Sequence, residues 1–273
     1  MKKFDGILIC TDLDGTLLKK DKTVSRENLE AIEYFMSEGG YFTFITGRMP
    51  FFVGSILSMV KINAPFGCIN GGGLYDPVSN KYIWNHPMRS DVTELLVHID
   101  ENMENIGIQI NCFDKLYSVR ENEAMERFRR TTGVPKLVCD IKGTGEPIAK
   151  IVFADMREEQ ILRVKELLDT HARSADFDYI RSEKTLYEIL PKGISKGAIL
   201  PRLAEHLGID MRRTVAVGDY NNDISMLKSA GIGIAVANAT PEAKAAADLV
   251  TVSNEDHAIA KIISDIDCGI ITF

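Results

Sequence analysis

Two aspartates separated by one apolar residue, Asp12-Leu13-Asp14, stand where an apolar run stops, and Gly15-Thr16 follow at once. Two carboxylates this close repel, so they require a cation, a shared proton or full solvation. A hard divalent ion with oxygen ligands is the simplest resolution. Gly15 and Thr16 turn the chain sharply and leave backbone N–H groups free to face an anion. The plainer reading is a solvated acidic turn, and position argues against it. The preceding run Ile7-Leu8-Ile9-Cys10 has no polar alternation, which suits a strand buried on both faces of a parallel sheet. Carboxylates just past such a strand lie at the carboxyl edge of the sheet, where open α/β folds bind ligands.

Complementary polar groups close other apolar runs. Tyr41 to Ile45 ends at Thr46-Gly47-Arg48, which offers a hydroxyl and a backbone N–H. Lys196 opens a helical stretch, and its ammonium suits phosphate as a point charge. Thr214 to Val217 ends at Gly218-Asp219-Tyr220-Asn221-Asn222-Asp223. If these ends converge, they offer carboxylates for one hard cation and a hydroxyl and a lysine for an anion. That combination fits phosphoryl transfer, in which positioning and charge neutralisation supply most of the catalysis. Taken singly each has a plain alternative. Thr46-Gly47-Arg48 also reads as a strand-to-helix turn, Lys196 as a solvated lysine, and Asp223 as the cap of a helix ending near Ser229. Asn70-Gly71-Gly72-Gly73 reads as a tight turn between strands, because no Gly-Lys-Ser/Thr follows. Gly231-x-Gly233 lacks the third glycine and downstream acid of a dinucleotide fingerprint.

The elements that must position these groups alternate between strand and helix. Ser25 is placed to cap a helix whose Leu29, Ile32, Phe35 and Met36 share one face, ending at Gly39-Gly40. Phe66 to Ile69 reads as a further strand of the same strand–helix–strand series. Late in the chain Ser195 caps a helix toward His206, with Pro201 predicting a kink or break. Ile232 to Val236 and Leu249 to Val252 read as strands, and Thr240-Pro241-Glu242 as a helix start. Between about Ile83 and Leu190 the pattern changes. Helices are expected at Asp91 to Asn105 and Arg157 to Thr170. Strands are expected at Ile106 to Cys112, Leu116 to Val119, Ile148 to Ala154 and Thr185 to Leu190, with an exposed loop at Asp140 to Pro147. Strands joined by short turns suggest a more antiparallel α+β unit inserted in an α/β fold. The expected architecture is a three-layer Rossmann-like parallel sheet over residues 1–82 and 191–273, with an inserted cap over 83–190.

Composition narrows the partners. The 273 residues are 45% hydrophobic and 26% charged, in the range of a globular protein with ample core. A formal net charge of −7 argues against nucleic acid. The five cysteines are odd in number and contain no Cys-x-x-Cys pair, which reads as reduced thiols in a cytoplasmic protein. Asp5, Asp12 and Asp14 interrupt any signal-peptide core, and no apolar run approaches a membrane span. The five dispersed histidines form no metal-spaced pair. The expected partner is a small molecule, and the expected assembly a monomer or weak homo-oligomer.

In order, Asp12-Leu13-Asp14-Gly15-Thr16-Leu17, Thr46-Gly47-Arg48, Ser195-Lys196-Gly197 and Gly218-Asp219-x-x-Asn222-Asp223 resemble the four motifs of the haloacid dehalogenase-like hydrolases. The closer resemblance is to their Cof-type phosphatases with a class IIB α/β cap, which lies between the second and third motifs. Ala237 and His257 stand where that family usually has glycine. The resemblance implies a magnesium-dependent phosphatase acting on a small phosphorylated metabolite, such as a sugar phosphate. It implies Asp12 as nucleophile giving an aspartyl-phosphate, and Asp14 as acid and then base. Magnesium would be held by Asp12, the Asp14 backbone carbonyl, Asp219 and Asp223, and the phosphoryl oxygens by Thr46, Gly47, Lys196 and Asn222. A phosphomutase or phosphotransferase would share this apparatus. A dehalogenase would not need Asp14, and a phospho-accepting receiver domain would be about half as long.

Overall fold

The computed structural model describes residues 2–273 and divides into two compact units. One runs to Asn85 and resumes over Ser195–Phe273; the other is His86–Ile194.

In the first unit, β1 (Leu8–Thr11) is buried at every residue, as a strand covered on both faces must be. Ser25 caps α1 (Arg26–Ser37), its Oγ accepting the Asn28 N–H at 3.3 Å. Ile32 and Phe35 of that helix are buried, while Leu29 and Met36 are only half-buried. β2 (Tyr41–Phe44) lies parallel beside β1. After α2 (Gly54–Met59) the chain returns to a strand, as the strand–helix–strand series expects. β3 (Phe66–Cys68) meets the parallel sheet only through a bridge between Ile45 and Gly67. It instead starts an antiparallel three-stranded sheet with β4 (Gly73–Asp76) and β5 (Lys81–Asn85). The reason is local: Ile69, Asn70 and Gly71 all have positive φ, which reverses the chain straight after Cys68.

The second unit contains α3 (Val92–Asn102), β6 (Gly107–Cys112), β7 (Leu116–Arg120), α4 (Glu123–Thr132), β8 (Leu137–Val138), β9 (Ile148–Ala154), α5 (Glu158–Thr170), β10 (Phe177–Glu183) and β11 (Leu186–Pro191). Its six strands run in the order β10-β11-β9-β6-β7-β8 and are antiparallel except for the β7–β8 pair. Leu95 and Ile99 of α3 and Ile161, Val164 and Leu168 of α5 form one core with Ile108, Ile110, Ile151, Phe153 and Ile189 of the sheet. Sequence periodicity missed α4, β8 and β10. α4 is amphipathic, but its apolar face is only Ala124, Met125 and Phe128 in an otherwise polar segment, and Met125 alone is fully buried. In β10 only Phe177 is fully buried, and the alternation begun by Phe177-Asp178-Tyr179 is reversed at Ile180 and Arg181.

Back in the first unit, α6 (Lys196–Leu207) runs unbroken through Pro201. Pro201 is the sixth of the helix's twelve residues and removes a single backbone bond, while buried Ile199, Leu200, Leu203 and Ala204 hold both flanks. Then follow β12 (Thr214–Gly218), α7 (Ile224–Ser229), β13 (Ile232–Ala235), α8 (Pro241–Ala246), β14 (Leu249–Val250) and α9 (Ala258–Asp267). Thr240 caps α8 by accepting the Ala243 N–H. The parallel sheet runs β14-β13-β12-β1-β2. From β1 the chain therefore goes to β2 on one side and later to β12 on the other. The order reverses between β1 and β12, and open α/β sheets bind ligands at the carboxyl end of such a switch point. All five cysteines are free. Among the described residues, no helix is long and apolar enough to cross a membrane.

On β9, Lys150 points away from the core side chains Ile151 and Phe153. Its Nζ donates to Glu188 at 2.8 Å, and both side chains are under a tenth exposed. Lys150→Met leaves a buried carboxylate without this cation and should lower stability by about 3–5 kcal/mol. Replacing both residues with apolar ones should recover most of that loss, as urea unfolding of the two variants would show.

Candidate active site

The switch point is where the acidic motifs meet. The Asp12 N–H donates to Val217 O at 2.8 Å, prolonging the β1–β12 ladder one residue past the strand and seating the Asp12 side chain at its end. Ser195 caps α6 through its Oγ and the Ala198 N–H. The first helical residue, Lys196, thereby enters the same space. Its Nζ donates to Asp12 Oδ1 and to Asp223 Oδ1, both at 2.6 Å, and the side chain is 1% exposed. The other Asp223 oxygen accepts the N–H groups of Asp219 and Tyr220 at 2.9 and 3.0 Å. Asp223 therefore caps the single helical turn Asn221–Asp223 that leads into α7, through the Tyr220 N–H, and makes no cap bond to α7 itself. Its side chain reaches back to the end of β12 because Lys196 and those two N–H groups all lie on that side. Asp219 Oδ1 accepts the Thr16 hydroxyl at 2.8 Å. Gly15 is required between them: its φ is +83°, and a Cβ there would stand 2.5 Å from Asp219 Oδ2.

One ligand oxygen from each of Asp12, Asp219 and Asp223 lies within 4.8 Å of the others. Burial drives the Asp12 carboxyl up to about 8, with Asp223 and Asp219 adding to the rise and Lys196 opposing it. Burial and Asp223 likewise push Asp219 up to about 6, against the Thr16 hydrogen bond and Lys196. For Lys196, burial disfavours the charge, but Asp12 and Asp223 outweigh it and hold the ammonium above its usual range. Three carboxylates facing a single ammonium are short of positive charge. Clustered oxygen donors with unbalanced charge fit a hard divalent cation.

Asp14 lies outside that cluster. Arg48 grips its carboxylate with both arms, Nε to Oδ2 at 2.8 Å and Nη2 to Oδ1 at 2.7 Å. Lys22 Nζ adds a third bond, to Oδ1 at 2.8 Å. Burial alone would raise the Asp14 carboxyl; the two cations outweigh it and hold it below the usual carboxylate range. The Thr46 hydroxyl accepts the Arg48 N–H at 3.2 Å. Asn222 Nδ2 donates to Asn70 Oδ1 at 3.2 Å, and the Asn70 N–H donates to Thr46 O at 3.0 Å. A Cβ on Gly47 would come within 2.9 Å of the same Asn70 oxygen. So Asp12, Lys196, Asp219 and Asp223 form one group, and Thr46, Gly47 and Asn222 gather around Asn70.

Asn70 and Lys22 were not singled out from the sequence. The signal available for Asn70 was its place before three glycines, which reads as a plain turn. His257, where a glycine is usual, takes the left-handed conformation with φ 63° that a glycine would adopt freely.

Comparison with known proteins agrees with this geometry. Residues 9–263 match the family model for haloacid dehalogenase-like hydrolases. The Bacillus subtilis 5-amino-6-(5-phospho-D-ribitylamino)uracil phosphatase YitU is 29% identical over 264 residues, covering 94% of this chain and 96% of that protein. The Thermotoga maritima protein TM0651 superposes with a TM-score of 0.81 at 26% identity, covering 98% of each chain. The subclass IIB sugar phosphatase BT4131 superposes with a TM-score of 0.81 at 22% identity, covering 97% of this chain and all of that one. With the acidic motifs assembled at the switch point of a parallel sheet, the chain belongs to the haloacid dehalogenase-like hydrolases and is a Cof-type phosphatase.

Proposed function

We propose that the protein is a magnesium-dependent phosphatase of small phosphomonoesters that works through an aspartyl-phosphate on Asp12. The observation that carries this reading is Lys196, fully buried and bridging Asp12 to Asp223 beside Asp219. Asp12, Asp219, Asp223 and the Asp14 backbone carbonyl would hold the cation, which when bound neutralises charge on the phosphoryl oxygens. Thr46, the Gly47 N–H, Lys196 and Asn222 would hold those oxygens. An Asp12 oxygen attacks phosphorus in line; the ester P–O bond breaks and Asp14 gives a proton to the departing oxygen. Water then attacks the same phosphorus, Asp14 takes its proton, and the Asp12–phosphorus bond breaks to release inorganic phosphate. Arg48 and Lys22 keep Asp14 ionised in the free protein, the state that the second step needs. A phosphoryl dianion placed beside it favours the proton needed for the first step.

Two relatives at 29% identity, YitU and YwtE, are 5-amino-6-(5-phospho-D-ribitylamino)uracil phosphatases, which supports a small phosphorylated metabolite as substrate. We assign substrate choice to the inserted His86–Ile194 unit and place the enzyme in the cytoplasm as a monomer or weak homo-oligomer.

Asp12→Asn should abolish phosphate release with the fold retained, because an amide cannot form the acyl phosphate. Activity above about a tenth of wild type, in protein shown by mass spectrometry not to be deamidated, would falsify the nucleophile assignment. Asp14→Asn should slow enzyme phosphorylation far more with an alkyl phosphomonoester than with p-nitrophenyl phosphate, since acid assistance is worth about 10²–10⁴-fold and the nitrophenolate hardly needs it. Equal losses in single-turnover measurements would remove Asp14 as the acid. The site electrostatics also predict a pH signature. Asp12 and Asp219 bind protons more tightly folded than unfolded, so the chelated protein should lose stability as pH rises from the usual 3.8 toward about 8 and about 6 respectively. Magnesium should flatten that slope in thermal melts, and a slope indifferent to magnesium would argue against this cation site.

A further inference from the structure

The turn that follows Leu18 is built to deliver one cation. Its closure uses Lys19 N–H to Thr23 O and Lys22 N–H to Lys19 O, both at 2.9 Å, with Asp21 accepting the Thr23 N–H and hydroxyl at 3.0 and 2.6 Å. Distant residues anchor it: buried Asn254 donates Nδ2 to Leu18 O at 2.9 Å, and Glu255 accepts the Lys20 N–H at 2.8 Å. Within this turn Lys22 sits at φ 65°, a left-handed conformation that glycine adopts freely and lysine does not. From there its Nζ meets Asp14 Oδ1.

Stability does not account for this arrangement. The Lys22 side chain is 64% exposed and that of Asp14 40%, and ion pairs so open to solvent contribute little. Backbone strain used to place an exposed cation on a site carboxylate points to function. A carboxylate offers about four lone-pair directions. Arg48 fills one on each oxygen, so its grip does not distinguish Oδ1 from Oδ2. Lys22 fills the second on Oδ1 and breaks the symmetry. One direction is left, on Oδ2.

We propose that Lys22 is a positioning residue that closes Oδ1 and leaves Oδ2 as the Asp14 oxygen presented to the reacting group. The proposal rests on the reading of Asp14 as acid and base. Arg48 sets the plane of the carboxylate, and Lys22 selects the oxygen within it.

Lys22→Gly suits the existing backbone, so its melting temperature should equal or exceed that of wild type. Single-turnover phosphorylation is compared at each variant's own pH optimum, so that loss of a cation beside Asp14 does not enter through its protonation. There it should slow phenethyl phosphate, an alkyl ester, about tenfold while changing p-nitrophenyl phosphate by less than about twofold, a fraction of the full acid contribution. Lys22→Arg should restore most of the phenethyl phosphate rate. Equal losses on both esters, or no loss on either, would overturn the proposal, as would a Lys22→Arg variant no better than Lys22→Gly. Asp14→Asn measured alongside separates the two readings. If it distinguishes the esters and Lys22→Gly does not, only the positioning role falls; if Asp14→Asn does not distinguish them, the acid reading falls and takes this one with it.

Discussion

Burying an ammonium without partners is prohibitively unfavourable, and Lys196 is buried. Removal of such an ion from water costs several kcal/mol even after relaxation, and only well-placed opposite charges offset it. Asp12 and Asp223 supply them at 2.6 Å each. One follows β1 and the other closes the turn after β12, while the lysine opens α6, so a single interaction ties together three segments far apart in sequence. The rest of the site is arranged around that constraint. Asp223 uses its second oxygen to pin the backbone at Asp219 and Tyr220, and Asp219 is held in turn by Thr16. The resulting excess of carboxylate over ammonium makes the place suitable for a divalent cation.

The parallel sheet explains why this constraint can be met. Because strand order reverses between β1 and β12, their carboxyl ends have no crossover helix between them, and the residues that follow can converge. Beside this acidic cluster lies a second set of groups with the opposite charge balance. Arg48 and Lys22 converge on Asp14, and Asn70 links the loop after β2 to the turn after β12 through Thr46 and Asn222. A phosphoester has both a dianionic end and a departing oxygen. Under the proposed mechanism the acidic cluster with Thr46, Gly47 and Asn222 serves the first, while Asp14, held by Arg48 and Lys22, serves the second.

How much of this was legible depended on whether the responsible interaction was local. β1 could be read from four apolar residues because burial on both faces leaves no polar alternation. The caps at Ser25, Ser195 and Thr240 could be read because an N-cap bond spans only three residues. Failures occurred where distant partners decided. Phe66 to Cys68 reads as a sheet strand and bridges in parallel to Ile45 just past β2, but its ladder is made with β4, which no local pattern indicated. Pro201 carries a local signal for a break that buried neighbours on α6 override. In the highly charged α4 three apolar residues, Ala124, Met125 and Phe128, make the whole inward face, a pattern too short to stand out among its charges.

By itself, the sequence determined the chemistry available: which carboxylates, which lysine and which hydroxyl stand at the ends of apolar segments, and in what order. It did so because residue type and strand burial are written position by position. The tertiary structure decided their partners. Only the fold places Lys196 between Asp12 and Asp223, sets Asn70 between Thr46 and Asn222, and uses Asn254 and Glu255 to bring Lys22 onto Asp14. These contacts join residues up to 236 positions apart. Pairings at that range depend on sheet order and turn geometry, which no local pattern of residues encodes.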